Sequence, residues 1–174
     1  EISIPAGLRY LSYNAFGGTE SLMRFTVDPS NPYYTTDKYG VLYSKDKTVL
    51  VAFPYGFASV GYNVPNGVKR IETVLQGEYA TLFSLPKSVE YFYDIGDNVA
   101  CLAFDGTKEE FADIEGSEKL LCQIAEGERT VTVINKGDGG RSAIQATLLK
   151  ATISVVTIIY LPVVKLWSLF LRVS

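Results

Sequence analysis

The chain has 174 residues and a formal net charge of −3, with 47% apolar and 20% charged residues. These values are typical of one globular domain and exclude an intrinsically disordered chain. The slightly acidic balance, without a basic stripe, argues against nucleic-acid binding. The sequence lacks histidine, the commonest general base and transition-metal ligand, and its two cysteines cannot make a disulfide framework or a zinc site. We therefore expect neither a cofactor nor a metal nor a catalytic site.

A strand-like pattern recurs five times along the first 105 residues. Each copy ends at a proline or aspartate, and the residues one and three positions earlier are apolar or aromatic, as one face of a strand requires. The anchors are Pro5, Asp28, Pro65, Pro86 and Asp105. Consecutive anchors are 23, 37, 21 and 19 residues apart, and all but the second spacing are close to the length of a leucine-rich repeat.

The pattern predicts a mostly β solenoid with irregular or short helical returns. We expect its strands to lie side by side in chain order, near Ile2–Ile4, Leu22–Val27, Tyr62–Val64, Leu82–Leu85 and Val99–Phe104.

The long interval between Asp28 and Pro65 contains a pattern of its own. Residues Val41 to Phe53 indicate two strands on either side of Ser44–Thr48. Two strands joined by a short polar segment are typical of a β-hairpin, so we expect a hairpin inserted into the solenoid.

These motifs resemble the BspA-like leucine-rich repeats of bacterial surface proteins, which also occur in some parasitic protists. The resemblance rests on Ile2-x-Ile4-Pro5-x-Gly7-Leu8-x-x-Leu11, on Val64-Pro65-x-Gly67-Val68-x-x-Ile71 and, most specifically, on Gly40–Thr48 in the hairpin. Phe104–Ile114 is similar to the module that often closes such arrays. The resemblance covers residues 1–124 and implies a leucine-rich-repeat solenoid there, with the hairpin insertion at about 29–61 and a separate C-terminal segment at 125–174.

The outward positions of the predicted strands are the natural binding surface of a solenoid. If Ala125 ends a further strand, the candidate residues on this face are Arg24, Thr26, Asn63, Leu82, Ser84 and Gln123, beside Ser3, Cys101 and Ala103. These side chains are small, polar or mixed and contain no cluster of titratable groups, which favours contact with a protein ligand over catalysis. The same register places Cys122 inward as a buried apolar residue and argues against a disulfide with Cys101.

Aromatic residues in the insertion offer a second candidate surface. Tyr33, Tyr34, Tyr39 and Tyr55 would stack on sugar rings if they are exposed, and they would pack the hairpin against the solenoid if they are buried. Packing is the reading that we favour.

A group of carboxylates follows Thr107, namely Glu109, Glu110, Asp113 and Glu115. Paired carboxylates are the machinery of glycoside hydrolysis. Thr107 as a helix N-cap, with acidic residues in the first turn, explains the same pattern without catalysis.

The C-terminal segment contains 14 uncharged residues, Ala151–Val164. Extended to Leu171, the stretch 151–171 is long enough to cross a bilayer but includes Pro162 and Lys165. The alternative is a strand or helix that caps the open end of the solenoid, which would otherwise expose its apolar edge. Both readings remain open at this point.

We expect a non-enzymatic recognition or adhesion module with a protein ligand. The alternatives are a carbohydrate-binding protein that uses the aromatic hairpin, and a structural spacer. The resemblance implies an extracellular or cell-surface location, and the chain, which begins at Glu1 without methionine, is expected to be a mature or excised fragment.

Overall fold

The computed structural model describes residues 1–12, 15–138 and 142–144, and within these ranges the chain is mostly β. The strands in chain order are β1 (Ile2–Ile4), β2 (Phe25–Val27), β3 (Tyr34–Thr36), β4 (Leu42–Ser44), β5 (Val49–Ala52), β6 (Gly61–Asn63), β7 (Arg70–Leu75), β8 (Leu82–Leu85), β9 (Tyr91–Ile95), β10 (Cys101–Phe104), β11 (Thr132–Asn135) and β12 (Ser142–Ile144). Helices α1 (Lys108–Ala112) and α2 (Ser117–Ala125) and a 3-10 turn at Lys136–Asp138 complete the described elements.

Two sheets run along the solenoid. The front sheet has the order β12-β11-β10-β8-β6, and its strands are parallel except for β12. The return sheet has the order β3-β4-β5-β7-β9, in which β5, β7 and β9 are parallel. From β6 to β10 the chain alternates between the two sheets, so each turn adds one strand to each. The predicted fold class, a mostly β solenoid with an inserted hairpin, is confirmed.

The main core lies between the two sheets and follows from the two-residue period of the strands. Each strand turns alternate side chains inward, and parallel pairing in register stacks these residues from turn to turn. The stacked residues of the front sheet are Tyr62, Phe83, Leu102 and Val133, and those of the return sheet are Leu50, Ile71 and Phe92; all are buried. Burying a large apolar side chain contributes about 1.5–3 kcal/mol, so these columns hold the turns together.

The return between β10 and β11 contains the short helices α1 and α2, as predicted, whereas the returns β7 and β9 are themselves strands, which corrects the prediction of irregular or short helical segments at those two places. In β7 the buried residues are Ile71 and Leu75, and in β9 they are Phe92 and Ile95. Both segments are rich in β-branched and aromatic residues, which favour extended chain. Pairing with the neighbouring turn also satisfies backbone groups that an irregular return would leave unpaired.

The five predicted strands do not form one continuous sheet, which corrects that part of the prediction. β1 and β2 pair in parallel as a separate two-stranded sheet, while β6, β8 and β10 belong to the front sheet. The insertion lies at the break: the amide of Phe25 donates to the carbonyl of Gly40 at 2.8 Å, and the hydroxyl of Tyr62 donates to Asp37 at 2.7 Å. The inserted residues thus contact both β2 and β6.

The inserted hairpin itself is confirmed. β4 and β5 are antiparallel, and β3, which the sequence analysis missed, pairs antiparallel with β4. The turn between β4 and β5 is held by Asp46, whose carboxylate accepts hydrogen bonds from Ser44 Oγ at 2.6 Å and Thr48 Oγ1 at 2.9 Å. Because β5 also pairs in parallel with β7, the insertion extends the return sheet rather than standing apart from it.

The predicted strand ending at Ala125 is helix α2, so Gln123 is not on the sheet face and Cys122 is exposed rather than buried. The physical reason is the helical spacing of Leu120 and Ile124, which puts both on the buried side of an amphipathic helix. The next front strand is β11, which pairs in parallel with β10. The domain boundary at 124/125 stays a prediction. The front sheet continues beyond that point, because β11 belongs to it.

The cap-or-anchor question of the sequence analysis concerns 151–171, which lie outside the described residues. Among the described residues, none of the helices has the length and apolar character that crossing a membrane requires.

A fully buried asparagine joins the first turn to the insertion. The Asn31 amide nitrogen donates to the carbonyls of Pro5 at 2.7 Å and Leu8 at 3.2 Å, and its side-chain oxygen accepts from the amides of Tyr33 at 2.8 Å and Tyr34 at 2.9 Å. All four hydrogen-bonding capacities of the side chain are used. Truncating it would leave several buried polar groups without partners.

We expect Asn31→Ala to lower the free energy of unfolding by about 3 kcal/mol, measured by urea denaturation. Asn63→Ala, at an exposed position of β6, is the matched control and should change it by less than about 0.5 kcal/mol. Equal effects of the two substitutions would contradict the role of Asn31.

Two tyrosines form a buried polar contact between the insertion and the front sheet. Tyr43 on β4 and Tyr62 on β6 are hydrogen-bonded through their hydroxyls, and Tyr62 donates on to Asp37. Burial is the main reason that the pKa values of Tyr43 and Tyr62 lie above the ordinary value of 10.0. Because the unfolded chain loses these protons first, the fold loses stability as the pH rises above that value.

Above pH 10 we expect the free energy of unfolding to fall with pH by about 1.4 kcal/mol per pH unit for each of these two groups. In Tyr43→Phe the fall should be smaller by about 1.4 kcal/mol per pH unit, because one of the two ionisations has been removed. Urea midpoints measured between neutral pH and pH about 11.5 test this. An identical slope in the variant and the parent would contradict it.

Candidate functional site

The exposed face of the front sheet is built from equivalent positions of successive turns. Parallel pairing places its outward residues in two rows across the strands. One row consists of Gly61, Leu82, Cys101 and Thr132, and the other of Asn63, Ser84, Ala103 and Ile134. Neighbouring strands are about 4.8 Å apart, so the side chains of a row lie next to one another. We call these eight residues the front face.

The front face consists of uncharged residues. Its side chains are small or neutral, and the largest exposed apolar one is Leu82, at 44% exposure. Because the strands alternate, each outward residue is flanked by buried neighbours such as Phe83 and Leu102, which fix the backbone beneath it. A neutral surface on a well-packed sheet suits contact with a complementary protein surface.

The C-terminal edge of the front face carries charge. The Lys136 ammonium donates to Ser84 Oγ at 3.0 Å and forms an ion pair with Asp105 at 2.8 Å. Nearby, Lys87 pairs with Glu110 at 2.6 Å. These pairs are half-exposed and each adds little stability in water.

The contact between Ser84 and Lys136 does not make an activated nucleophile. In a serine–lysine pair that performs acyl transfer, the amine has to accept the hydroxyl proton. Here the ammonium donates to the serine oxygen, and Asp105 binds the same ammonium. The arrangement positions the two side chains.

The two thiols are also held in their less reactive form. Burial raises the pKa of Cys101, and a hydrogen bond to Glu126 raises the pKa of Cys122. Thiolates are the reactive form of cysteine, so both shifts disfavour reaction at neutral pH. Both cysteines are free.

The carboxylates after Thr107 have structural partners. Thr107 is the N-cap of α1, as predicted, and the Glu110 side chain completes the capping box by accepting from the Thr107 amide at 2.9 Å. Two hydrogen bonds lower the pKa of Glu110: the larger effect comes from Lys87 and the smaller from the Thr107 amide. The described residues contain no group of three or more acidic or cysteine side chains arranged to hold a metal ion.

Of the residues predicted on the sheet face, the structure brings Asn63, Leu82 and Ser84 together. Arg24 and Thr26 lie on either side of Phe25, at the separate β1–β2 sheet. There the Arg24 Nε atom is 3.7 Å from a carboxylate oxygen of Glu1. Gln123, on α2, does not belong to this set. Whether any of these residues binds a ligand stays a prediction.

The four tyrosines of the predicted aromatic surface have different surroundings. Tyr34 is buried, and its hydroxyl donates to the carbonyl of Arg9 at 3.0 Å, so it is a packing residue. Tyr33 lies beneath the Arg9 guanidinium, and Tyr39 packs edge-on against Phe57 and Tyr62.

Tyr55 is half-buried and lines a groove on another part of the surface. The tyrosines therefore do not all contribute to one aromatic face.

The sequence analysis missed Thr132, Ile134 and Lys136. The signal was present, because Val131 and Val133 alternate with Thr132 and Ile134 in the manner of a half-buried strand. Placing the end of the next strand at Ala125 assigned that position of the solenoid to the wrong segment.

The chain matches no protein-family model and no curated protein sequence. Solved structures similar to it include a leucine-rich repeat protein from Eubacterium ventriosum, which is 20% identical with a TM-score of 0.39; the match covers 59% of this chain and 35% of that one. The pneumococcal vaccine antigen PcpA is 22% identical with a TM-score of 0.42, and the match covers 60% and 38% of the two chains. The chain thus matches little more than a third of the length of either protein.

We expect a fluorophosphonate probe, which labels activated serines, to give no labelling of the parent above that of Ser84→Ala. The reason is that Lys136 donates to Ser84 instead of accepting its proton. Mass spectrometry of the intact protein is the measurement. Stoichiometric labelling that disappears in both Ser84→Ala and Lys136→Met would contradict this and indicate a nucleophile.

Proposed function

We propose that the chain is a non-enzymatic recognition module whose front face contacts a protein ligand. The observation that supports this most directly is the pair of uncharged rows on a parallel sheet whose inward residues are buried. Flat neutral surfaces can exclude water against a partner without the cost of desolvating charges. The structural contacts of Ser84 and Glu110 and the partial burial of Cys101 support a role in binding rather than in turnover.

The front face alone is too small for a stable complex. Four strands at about 4.8 Å spacing and about 13 Å length present roughly 250 Å², whereas a standard interface buries about 800 Å² per partner. The ligand must therefore also contact neighbouring surface. The charged edge formed by Lys136 and Asp105 is the nearest candidate, and its charges would steer the approach of a partner.

We place the module outside the cell or on its surface and regard it as a BspA-like repeat protein of bacterial type. The support is the resemblance of its repeat and hairpin motifs to that family. A recognition module in this location would act in adhesion.

Carbohydrate binding by the insertion is the second candidate. Tyr39 is 51% exposed and Tyr33 is 41% exposed, so each presents part of a ring on which a sugar could stack. A glycan array distinguishes the candidates, because binding lost in Tyr39→Ala and retained in Ala103→Arg favours sugar recognition.

Photocrosslinking tests the protein-ligand proposal. A benzophenone amino acid at position 82 reports on the front face, and the same amino acid at position 93 is the matched control, because Leu82 and Tyr93 are 44% and 43% exposed and lie in different sheets. With extracts of cell-surface proteins, we expect a discrete crosslinked protein from position 82 and none from position 93.

Ala103→Arg should reduce that crosslinking by at least about tenfold, because an added charge would be desolvated in the middle of the face. The matched substitution Tyr93→Arg should leave it unchanged. Equal crosslinking from both positions, or insensitivity to Ala103→Arg, would contradict the assignment of the face.

A further inference from the structure

A groove lies at one corner of the solenoid and is lined by three segments, two of which lead into the front strands β6 and β8. Its volume is about 610 Å³. One wall comes from the first turn with Glu20 and Met23, the opposite wall comes from the segment between β7 and β8 with Glu78 and Tyr79, and Tyr55 forms part of the floor between them. We call this the corner groove.

A glycine lets the chain at the groove approach the first turn closely. Gly56 lines the groove with Ala58 and Tyr55, and a Cβ at Gly56 would lie 3.1 Å from the carbonyl oxygen of Leu22. Backbone hydrogen bonds tie the floor to both walls: the amide of Gly56 donates to the carbonyl of Leu22 at 2.8 Å, and the amide of Glu78 donates to the carbonyl of Tyr55 at 2.6 Å. The groove is therefore set by main-chain geometry and is already formed before any ligand arrives.

The walls expose apolar side chains that the fold does not use. Met23 is 57% exposed and Tyr79 is 55% exposed, although both are of a type that proteins usually bury. Met adapts its shape to a partner, and Tyr offers a rigid ring face with a polar tip. Exposed residues of these types in a concave site are typical of binding surfaces.

The same walls carry unneutralised negative charge. Glu20 and Glu78 take part in none of the ion pairs within the part of the chain that the structure describes. The Glu78 carboxylate instead interacts with its neighbour Tyr79 through a side-chain hydrogen bond. A groove with a carboxylate on each wall and apolar surface between them is complementary to a cation on an aliphatic stem.

We propose that the corner groove binds an extended peptide segment that carries lysine or arginine side chains. The aliphatic stems would lie against Met23 and the ring of Tyr79, and the cationic ends would meet Glu20 and Glu78. A sugar would also stack on Tyr79, but a neutral ring leaves both carboxylates without a counter-charge. This site is distinct from the front face, and each can be tested without the other.

The probe is a fluorescein-labelled peptide of about nine residues, roughly 30 Å when extended, with two lysines in a Gly-Ser-Leu background. Versions with the lysines separated by different numbers of residues cover the unknown spacing, and in each matched control both lysines are replaced by glutamine. Fluorescence anisotropy with the full chain gives the Kd values. We expect the best lysine peptide to bind at least about tenfold more tightly than its glutamine counterpart, with a Kd that rises with salt.

Two variants locate the binding. The double substitution Glu20→Gln/Glu78→Gln and the single substitution Tyr79→Ala should each weaken binding of the lysine peptide by at least about tenfold. Glu109→Gln is the matched control for loss of an exposed carboxylate elsewhere and should have no effect. Circular dichroism and the melting temperature establish that the variants remain folded.

The proposal is overturned if every lysine peptide binds no more tightly than its glutamine control, or if the groove variants bind as well as the parent. It is also overturned if chito-oligosaccharides bind, lose binding in Tyr79→Ala, and the lysine peptides do not bind. Amide chemical-shift changes confined to residues 20–23, 55–58 and 78–79 on addition of the lysine peptide would support it, and changes confined to the front face would overturn it.

Discussion

The fold depends on buried polar contacts that join the insertion to the turns on either side of it. Asn31 ties the insertion to the first turn, and the hydrogen bond from Tyr62 to Asp37 ties it to the front sheet. Gly40 lets the backbone approach β2, because a Cβ there would lie 2.5 Å from that of Arg24 and its φ is +81°. Buried polar groups are costly unless paired, so these contacts admit one arrangement of the insertion.

This junction separates the regular part of the solenoid from its first turn. Beyond it, β6, β8, β10 and β11 pair in register, so their outward residues form one continuous face. Before it, β1 and β2 form a sheet of their own. On the opposite side β5 pairs with β7, so the insertion interrupts the front sheet while extending the return sheet. The corner groove lies where the first turn, the end of the insertion and a regular turn meet.

The chemistry of the surface follows from the partners of its reactive groups. Ser84 accepts a hydrogen bond from a lysine, Glu110 caps a helix, and Cys101 is partly buried, so each is occupied by a structural contact or shielded. By contrast, Met23 and Tyr79 are exposed beyond what packing needs. A protein that restrains its nucleophiles and exposes apolar side chains is suited to binding, and the two proposed surfaces differ mainly in charge.

The sequence by itself determined the strands β1, β2, β6, β8 and β10 with their inward faces, the hairpin and the Thr107 cap, because these follow from local periodicity and turn chemistry. It did not determine that the returns β7 and β9 pair as strands, that residues 117–125 form a helix, or that the insertion divides β1 and β2 from the rest. Those features depend on hydrogen bonds and packing between segments that are far apart in the chain. The same holds for the tyrosines: Tyr34 and Tyr39 are alike in sequence, but only tertiary packing buries the first and exposes the second. The corner groove is likewise a tertiary feature, because its walls are more than fifty residues apart in the chain.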